Sequence, residues 1–146
     1  MNGKGMVPEM IENVKPIFRQ QNIAVAYLFG SRALGFEHQA SDYDLGLLFK
    51  DYCPARHNIV YRLNLAEELA VVLGAPVDVV FLQSAPILMR YEVIATGRVI
   101  YCIDEDFRTD FEDIALRDYL DFKPFIDQYH REVAEAIKDG YFFAEP

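Results

Sequence analysis

Cysteine and basic charge are both scarce in this sequence. The two cysteines, Cys53 and Cys102, lie far apart with no Cys or His neighbour at zinc-ligand spacing. That argues against a disulfide framework and a zinc finger and leaves two free thiols, at least one of them expected in the core. His38, His57 and His130 are equally isolated, the pattern of surface or capped histidines rather than of a ligand set. Lysine and arginine number 14 against 23 acidic residues, a formal net charge of -9. Without clustered cations a long nucleic acid finds no footing for its phosphates, although a small anion escorted by Mg2+ stays compatible. No apolar stretch reaches the roughly 20 residues of a membrane span, and the N-terminal MNGKGMVPEM has no signal-peptide core, so the expected location is cytoplasmic.

What the chain does have is packing material. Just over half of its 146 residues are apolar (52%), with eleven Phe and nine Tyr, a composition that folds. The length suits a single domain spanning 1–146, with a core over about 6–103 and a C-terminal helical segment over about 105–140.

Apolar residues three and four apart predict an amphipathic helix over Met6–Gln21, with Pro8 in its first turn. Ile23–Phe29 is continuously apolar and β-rich, a strand covered on both faces and ended by Gly30. Ser31–Gly35 reads as one helical turn capped by Ser31, Phe36–Ala40 as a loop, and Asp42–Phe49 as the second strand. A helix is predicted over Pro54–Leu73, stopped by Gly74 and turning Ile59, Val60, Leu63, Ala66, Leu69, Val72 and Leu73 to the core. The strand Val77–Leu82, the helix Pro86–Thr96 and the strand Arg98–Ile103 follow. From Glu105 to Gly140 a helical period runs on, with Pro124 expected to kink or split it. Its aromatic stripe reads as core, with a partner-binding face as the other reading. The fold class is α/β (α+β), a small mixed β-sheet with flanking helices.

The chemistry concentrates in Gly30-Ser31, ten residues, then Asp42-Tyr43-Asp44. Residues i and i+2 of a strand share a face, so Asp42 and Asp44 project together while Tyr43 turns away. Asp78 stands near the start of the next apolar strand, and the intervening helix has crossover length, making those two strands parallel. The first strand runs the other way and brings Gly30 and Ser31 to the same edge, where glycine admits a phosphate and Ser31 can bond one of its oxygens. Three clustered carboxylates without a cation would repel by roughly 4 kcal/mol per pair at about 4 Å, and oxygen-only ligands suit Mg2+ or Mn2+. The full pattern arises by chance in roughly one chain per thousand of this length. It is the layout of two-metal phosphoryl or nucleotidyl transfer, with Asp42, Asp44 and Asp78 as catalytic and metal-binding residues.

On these residues, GSRALGFEHQASDYDLGLLF and APVDVVFL, with MRYEVIATGRVIYCIDEDFRTDFE behind them, the chain resembles the DNA polymerase β nucleotidyltransferase superfamily. Within it, the likeness is to the minimal nucleotidyltransferase (MNT) antitoxins encoded beside HEPN ribonuclease toxins. One departure is Leu34, where many relatives carry arginine. The resemblance implies a nucleotidyltransferase fold, Gly30 and Ser31 positioning ATP, two Mg2+ ions on Asp42 and Asp44, and Asp78 as the third carboxylate. It further implies an antitoxin that moves AMP from ATP to a tyrosine of its HEPN toxin. A non-catalytic antitoxin that neutralises by steric binding is the alternative reading. A small-molecule nucleotidyltransferase ranks last, since the chain is short of the extra helical domain such enzymes use to grip an acceptor.

Overall fold

The computed structural model describes residues 3–30 and 42–140. The helical turn and loop expected over 31–41, and with them Ser31, lie outside the described residues.

The first helix, α1 (Gly3–Gln20), buries Met10, Val14, Ile17 and Phe18 on one stripe. It closes through Gln21 N–H to the Ile17 carbonyl, and Asn22 then adopts a left-handed φ of 58° to swing the chain into β1 (Ile23–Phe29). After the undescribed segment come β2 (Tyr43–Phe49), α2 (Ile59–Leu73), β3 (Val77–Phe81), a 3-10 turn at Leu82–Ser84, α3 (Ile87–Thr96), β4 (Arg98–Cys102) and α4 (Glu105–Lys138).

The strands form one mixed sheet in the order β3-β2-β1-β4. β1 is antiparallel to both β2 and β4, while β2 and β3 are parallel across the α2 crossover. The continuous apolar run of β1 is therefore explained by its central place, with both faces covered. Met10, Val14 and Phe18 of α1 and Leu65 and Leu69 of α2 pack on one face, against Ala26, Leu28, Leu45 and Leu47. Val93 of α3 and the half-buried Phe107 and Phe111 of α4 cover the other, against Val25, Tyr27 and Leu48. Each fully buried Leu or Val in these layers contributes about 1.5–3 kcal/mol of transfer free energy. α4 is tied down where Tyr27 Oη donates to Glu112 Oε2 at 2.7 Å, with Arg108 Nη1 donating to the same carboxylate at 2.9 Å.

Four expectations are corrected or narrowed. α2 begins at Ile59 rather than Pro54, because Asn58, in extended conformation, accepts the Tyr61 N–H at 3.0 Å and caps the helix there. Of the expected core face of α2, Leu69 is buried and Ala66 and Leu73 pack against the core, but Ile59, Val60, Leu63 and Val72 are exposed and Leu65, outside that expected face, is buried instead; the helix is apolar nearly all round, so its period did not select a face. Of the two outcomes expected at Pro124, kink or split, the split does not occur: α4 runs unbroken for 34 residues with Pro124 inside it. Neither cysteine is fully buried, both being half-buried and free. Among the described residues no helix is long and apolar enough to cross a membrane.

Candidate active site

Strand pairing decides which side chains meet at the exit of β1. Asp44 is paired across the sheet with Phe29 of β1 on one side and with Asp78 of β3 on the other. Directly opposed residues on neighbouring strands stand about 5 Å apart and share a face. Asp42 precedes β2 by one residue, two places before Asp44. The start of β2 is held by the Tyr43 N–H donating to the Pro76 carbonyl at 2.9 Å. Tyr43 itself is buried in the opposite core layer, which leaves its two aspartate neighbours on the other side.

Gly30 closes the arrangement from β1. Its φ is +77°, a left-handed conformation that other L-residues adopt at a cost, and a Cβ there would fall on the Asp44 carboxylate. Glycine is thus needed twice, for the turn and for the space. The expectation that β1 runs opposite to β2 and β3 and delivers Gly30 to their acidic ends agrees with this topology.

The electrostatics centre on Asp44. It is half-buried, whereas Asp42 and Asp78 are exposed. Burial, then the charge of Asp78, then that of Asp42, raise its carboxyl above the ordinary range. Two unit charges about 5 Å apart repel by roughly 3 kcal/mol at an effective dielectric near 20, a cost a divalent cation would relieve. Among the described residues no group of three or more His, Cys, Asp or Glu side chains is placed to hold a metal ion. Asp44 is coupled to Asp78 and Asp42 through their charges, and carboxylate oxygens are the donor type that hard ions such as Mg2+ take, usually together with water and phosphate oxygens.

Of the arginines, Arg98 pairs with Leu28 and so stands exposed at the same end of the sheet. Arg90 is turned inward, its Nε and Nη2 donating to the Ala85 and Gln83 carbonyls. Sequence reasoning passed over the Pro76 carbonyl; the available signal was a proline, with no N–H of its own to pair, directly before the strand of the third acid. Of the two readings of His57, surface or capped residue, the structure takes the second. His57 is buried, stacked on Phe49 at 4.0 Å between ring centres, with Nδ1 accepting the Cys53 N–H. It lines a cavity of about 350 Å³ with Asp51, Arg56 and Tyr61, at the end of the sheet remote from the aspartates.

The family model described as "Polymerase beta, Nucleotidyltransferase" matches residues 12–106, which include the second half of α1, the whole sheet and all three aspartates. This chain belongs to the polymerase beta nucleotidyltransferase family. One curated member, the protein adenylyltransferase MntA of Shewanella oneidensis (strain MR-1), is 34% identical to this nucleotidyltransferase over 84 residues. That alignment spans 58% of this chain and 58% of MntA. Among solved structures, a chain of a toxin-antitoxin crystal structure with AMP-PNP superposes with a TM-score of 0.75 at 25% identity, covering 85% of this nucleotidyltransferase and 98% of that chain. A structure of tri-AMPylated Shewanella oneidensis HEPN toxin in complex with MNT antitoxin matches with a TM-score of 0.71 at 22% identity, over 88% and 98%. At that identity the likeness shows a shared nucleotidyltransferase fold.

Proposed function

We propose that this nucleotidyltransferase is an antitoxin that moves AMP from ATP to a tyrosine of a HEPN toxin in the cytoplasm, with Mg2+ as its cofactor. The observation that carries the reading is the pairing of Asp44 with Asp78 beside Gly30. The relatives support the direction: one is named a protein adenylyltransferase, one structure holds AMP-PNP, and another holds an AMPylated toxin.

In this reading Asp42 and Asp44 are the metal ligands, and Asp78 completes the set. Mg2+ bound there supplies charge neutralisation for the triphosphate and the departing pyrophosphate. Gly30 lets the backbone approach a phosphate, with the Ser31 hydroxyl as its hydrogen-bonding neighbour. The acceptor phenol oxygen forms a bond to the α-phosphorus as the bond from that phosphorus to the bridging oxygen breaks. The phenol proton passes to Asp78, and pyrophosphate leaves. The in-line geometry places acceptor and leaving oxygen on opposite sides of the phosphorus.

Incubation with α-labelled ATP, Mg2+ and the HEPN partner is expected to label the partner. In Asp42→Ala/Asp44→Ala the label disappears while thermal unfolding stays cooperative. Full protection of cells by that double variant would favour the steric antitoxin instead, and transfer to a small-molecule hydroxyl without any protein partner would favour the third reading.

A further inference from the structure

α4 carries one continuous apolar face, and only its first half has somewhere to go within the chain. Phe107 and Phe111 pack on the sheet, Ala115 is 1% exposed, and Tyr119 stacks on Tyr91 of α3 with ring centres 3.7 Å apart. The same spacing of three and four then continues through Phe122, Phe125, Ile126, Tyr129, Val133 and Ile137. There the support ends: Phe122 is 42%, Phe125 66%, Tyr129 64% and Ile137 44% exposed. The geometry explains why. A 34-residue helix is about 50 Å long, while the strands beneath it, five to seven residues each, span about 17–23 Å. Half of α4 overruns the sheet and takes its apolar face with it. Contiguous exposed aromatics of this kind mark an interaction surface.

The flanks of that stripe say what covers it. One flank carries Asp121, Glu132 and Glu135, none of them ion-paired among the described residues; Glu132 accepts only from the Gln128 amide. The other holds Lys123, closed onto Asp127 at 2.6 Å, together with His130 and Lys138. If a second copy packed antiparallel about a twofold axis, each flank would meet its own counterpart and set acid against acid. A parallel pair would set each acidic flank against a Lys123 already closed onto Asp127 and would bring two chains, each of net charge -9, side by side. Both arrangements are electrostatically penalised. We infer that the overhanging half of α4 docks an amphipathic helix of the toxin partner, one whose apolar stripe is edged by lysine or arginine. This inference rests on the toxin-directed reading above and adds the face by which the acceptor protein is held.

The test measures binding of the full-length chain to its HEPN partner, with AMP transfer scored in parallel. Phe125→Lys/Tyr129→Lys is expected to weaken binding at least about thirtyfold, the scale of losing an interface hot spot. Glu132→Lys/Glu135→Lys is expected to weaken it about tenfold and to flatten its salt dependence. Circular dichroism and melting show that each variant is folded, and Phe125→Ala/Tyr129→Ala serves if the lysine pair is not. Unchanged affinity in folded variants overturns the docking face alone. A wild-type chain that neither binds nor labels the toxin overturns the functional reading and this inference with it. A dimer of the chain by itself, converted to monomer by Phe125→Lys/Tyr129→Lys, assigns the face to a second copy and also overturns the proposal.

Discussion

Replacing Asp44 with asparagine is expected to raise the stability of the metal-free protein while destroying what the site is for. Asp44 is held between a buried environment and two like charges, Asp78 and Asp42. At about 5 Å the repulsion from one neighbour is roughly 3 kcal/mol at an effective dielectric of about 20 and somewhat under about 1 kcal/mol in bulk water. Because Asp42 and Asp78 are exposed, the screened end of that range governs, and relief of about 1 kcal/mol is expected. In a domain of this size that corresponds to a melting temperature about 3 °C higher in EDTA at neutral pH. The pH dependence has a definite sign. The folded state raises the Asp44 pKa above its ordinary 3.8, so it binds that proton more tightly than the unfolded chain does. Stability from this protonation is fully present below the ordinary value and is lost as pH rises through the folded one. The advantage of Asp44→Asn over wild type is therefore largest at neutral pH and vanishes near pH 4. Adding Mg2+ with AMP-PNP reverses the order: a ligand at about a hundred times its dissociation constant stabilises wild type by about 2.7 kcal/mol, and the variant gains little. Scanning calorimetry with and without the magnesium nucleotide checks both halves. A variant that melts below wild type in EDTA, or that is stabilised equally by the nucleotide, would refute the reasoning.

Two further outcomes follow, one at the site and one at the opposite end of the sheet. Gly30→Ala meets both a left-handed φ and the Asp44 carboxylate; it is expected to cost about 1–2 kcal/mol in denaturant unfolding and to abolish the heat of magnesium-nucleotide binding, and wild-type binding heat would count against the placement of the site. His57 is held neutral, its pKa lowered first by burial and then by the charge of Arg56, so as pH falls below the ordinary 6.5 the unfolded chain takes up the proton first and stability is lost. His57→Phe leaves the Cys53 N–H without its acceptor and is expected to be about 1 kcal/mol less stable near pH 7.5, with a shallower decline towards pH 5 in urea titrations than wild type; parallel declines would show that His57 is not the acid-sensitive group.

Several elements were legible because their signals are local. Ile23–Phe29 is the observed β1 residue for residue, since a run of apolar β-formers bounded by turn residues has few other uses. Gly74 stops α2 with a φ of 69°, and Gly97 follows α3, as their positions after periodic segments foretold. The same-face relation of Asp42 and Asp44 needs nothing beyond the strand period. The start of α2 was less legible: Pro54 was the expected beginning, and only the Asn58 bond to the Tyr61 N–H sets it at Ile59. The burial of His57 was not legible, because it depends on Phe49, Tyr61 and Phe81, which converge on it from β2, α2 and β3.

The sequence by itself determined the strand of β1, the paired aspartates, the crossover that makes β2 and β3 parallel, and the family to which those residues point. These depend on backbone period, turn chemistry and chain length, which act over a few residues or one connection. Tertiary structure alone decided that Asp44 falls opposite Asp78 rather than one residue out of step, that Leu65 rather than Ile59 and Leu63 faces the core, and that Phe125 and Tyr129 overhang the sheet. An apolar residue records that it will be covered, but what covers it depends on where distant segments end, and for α4 the sheet ends before the stripe does.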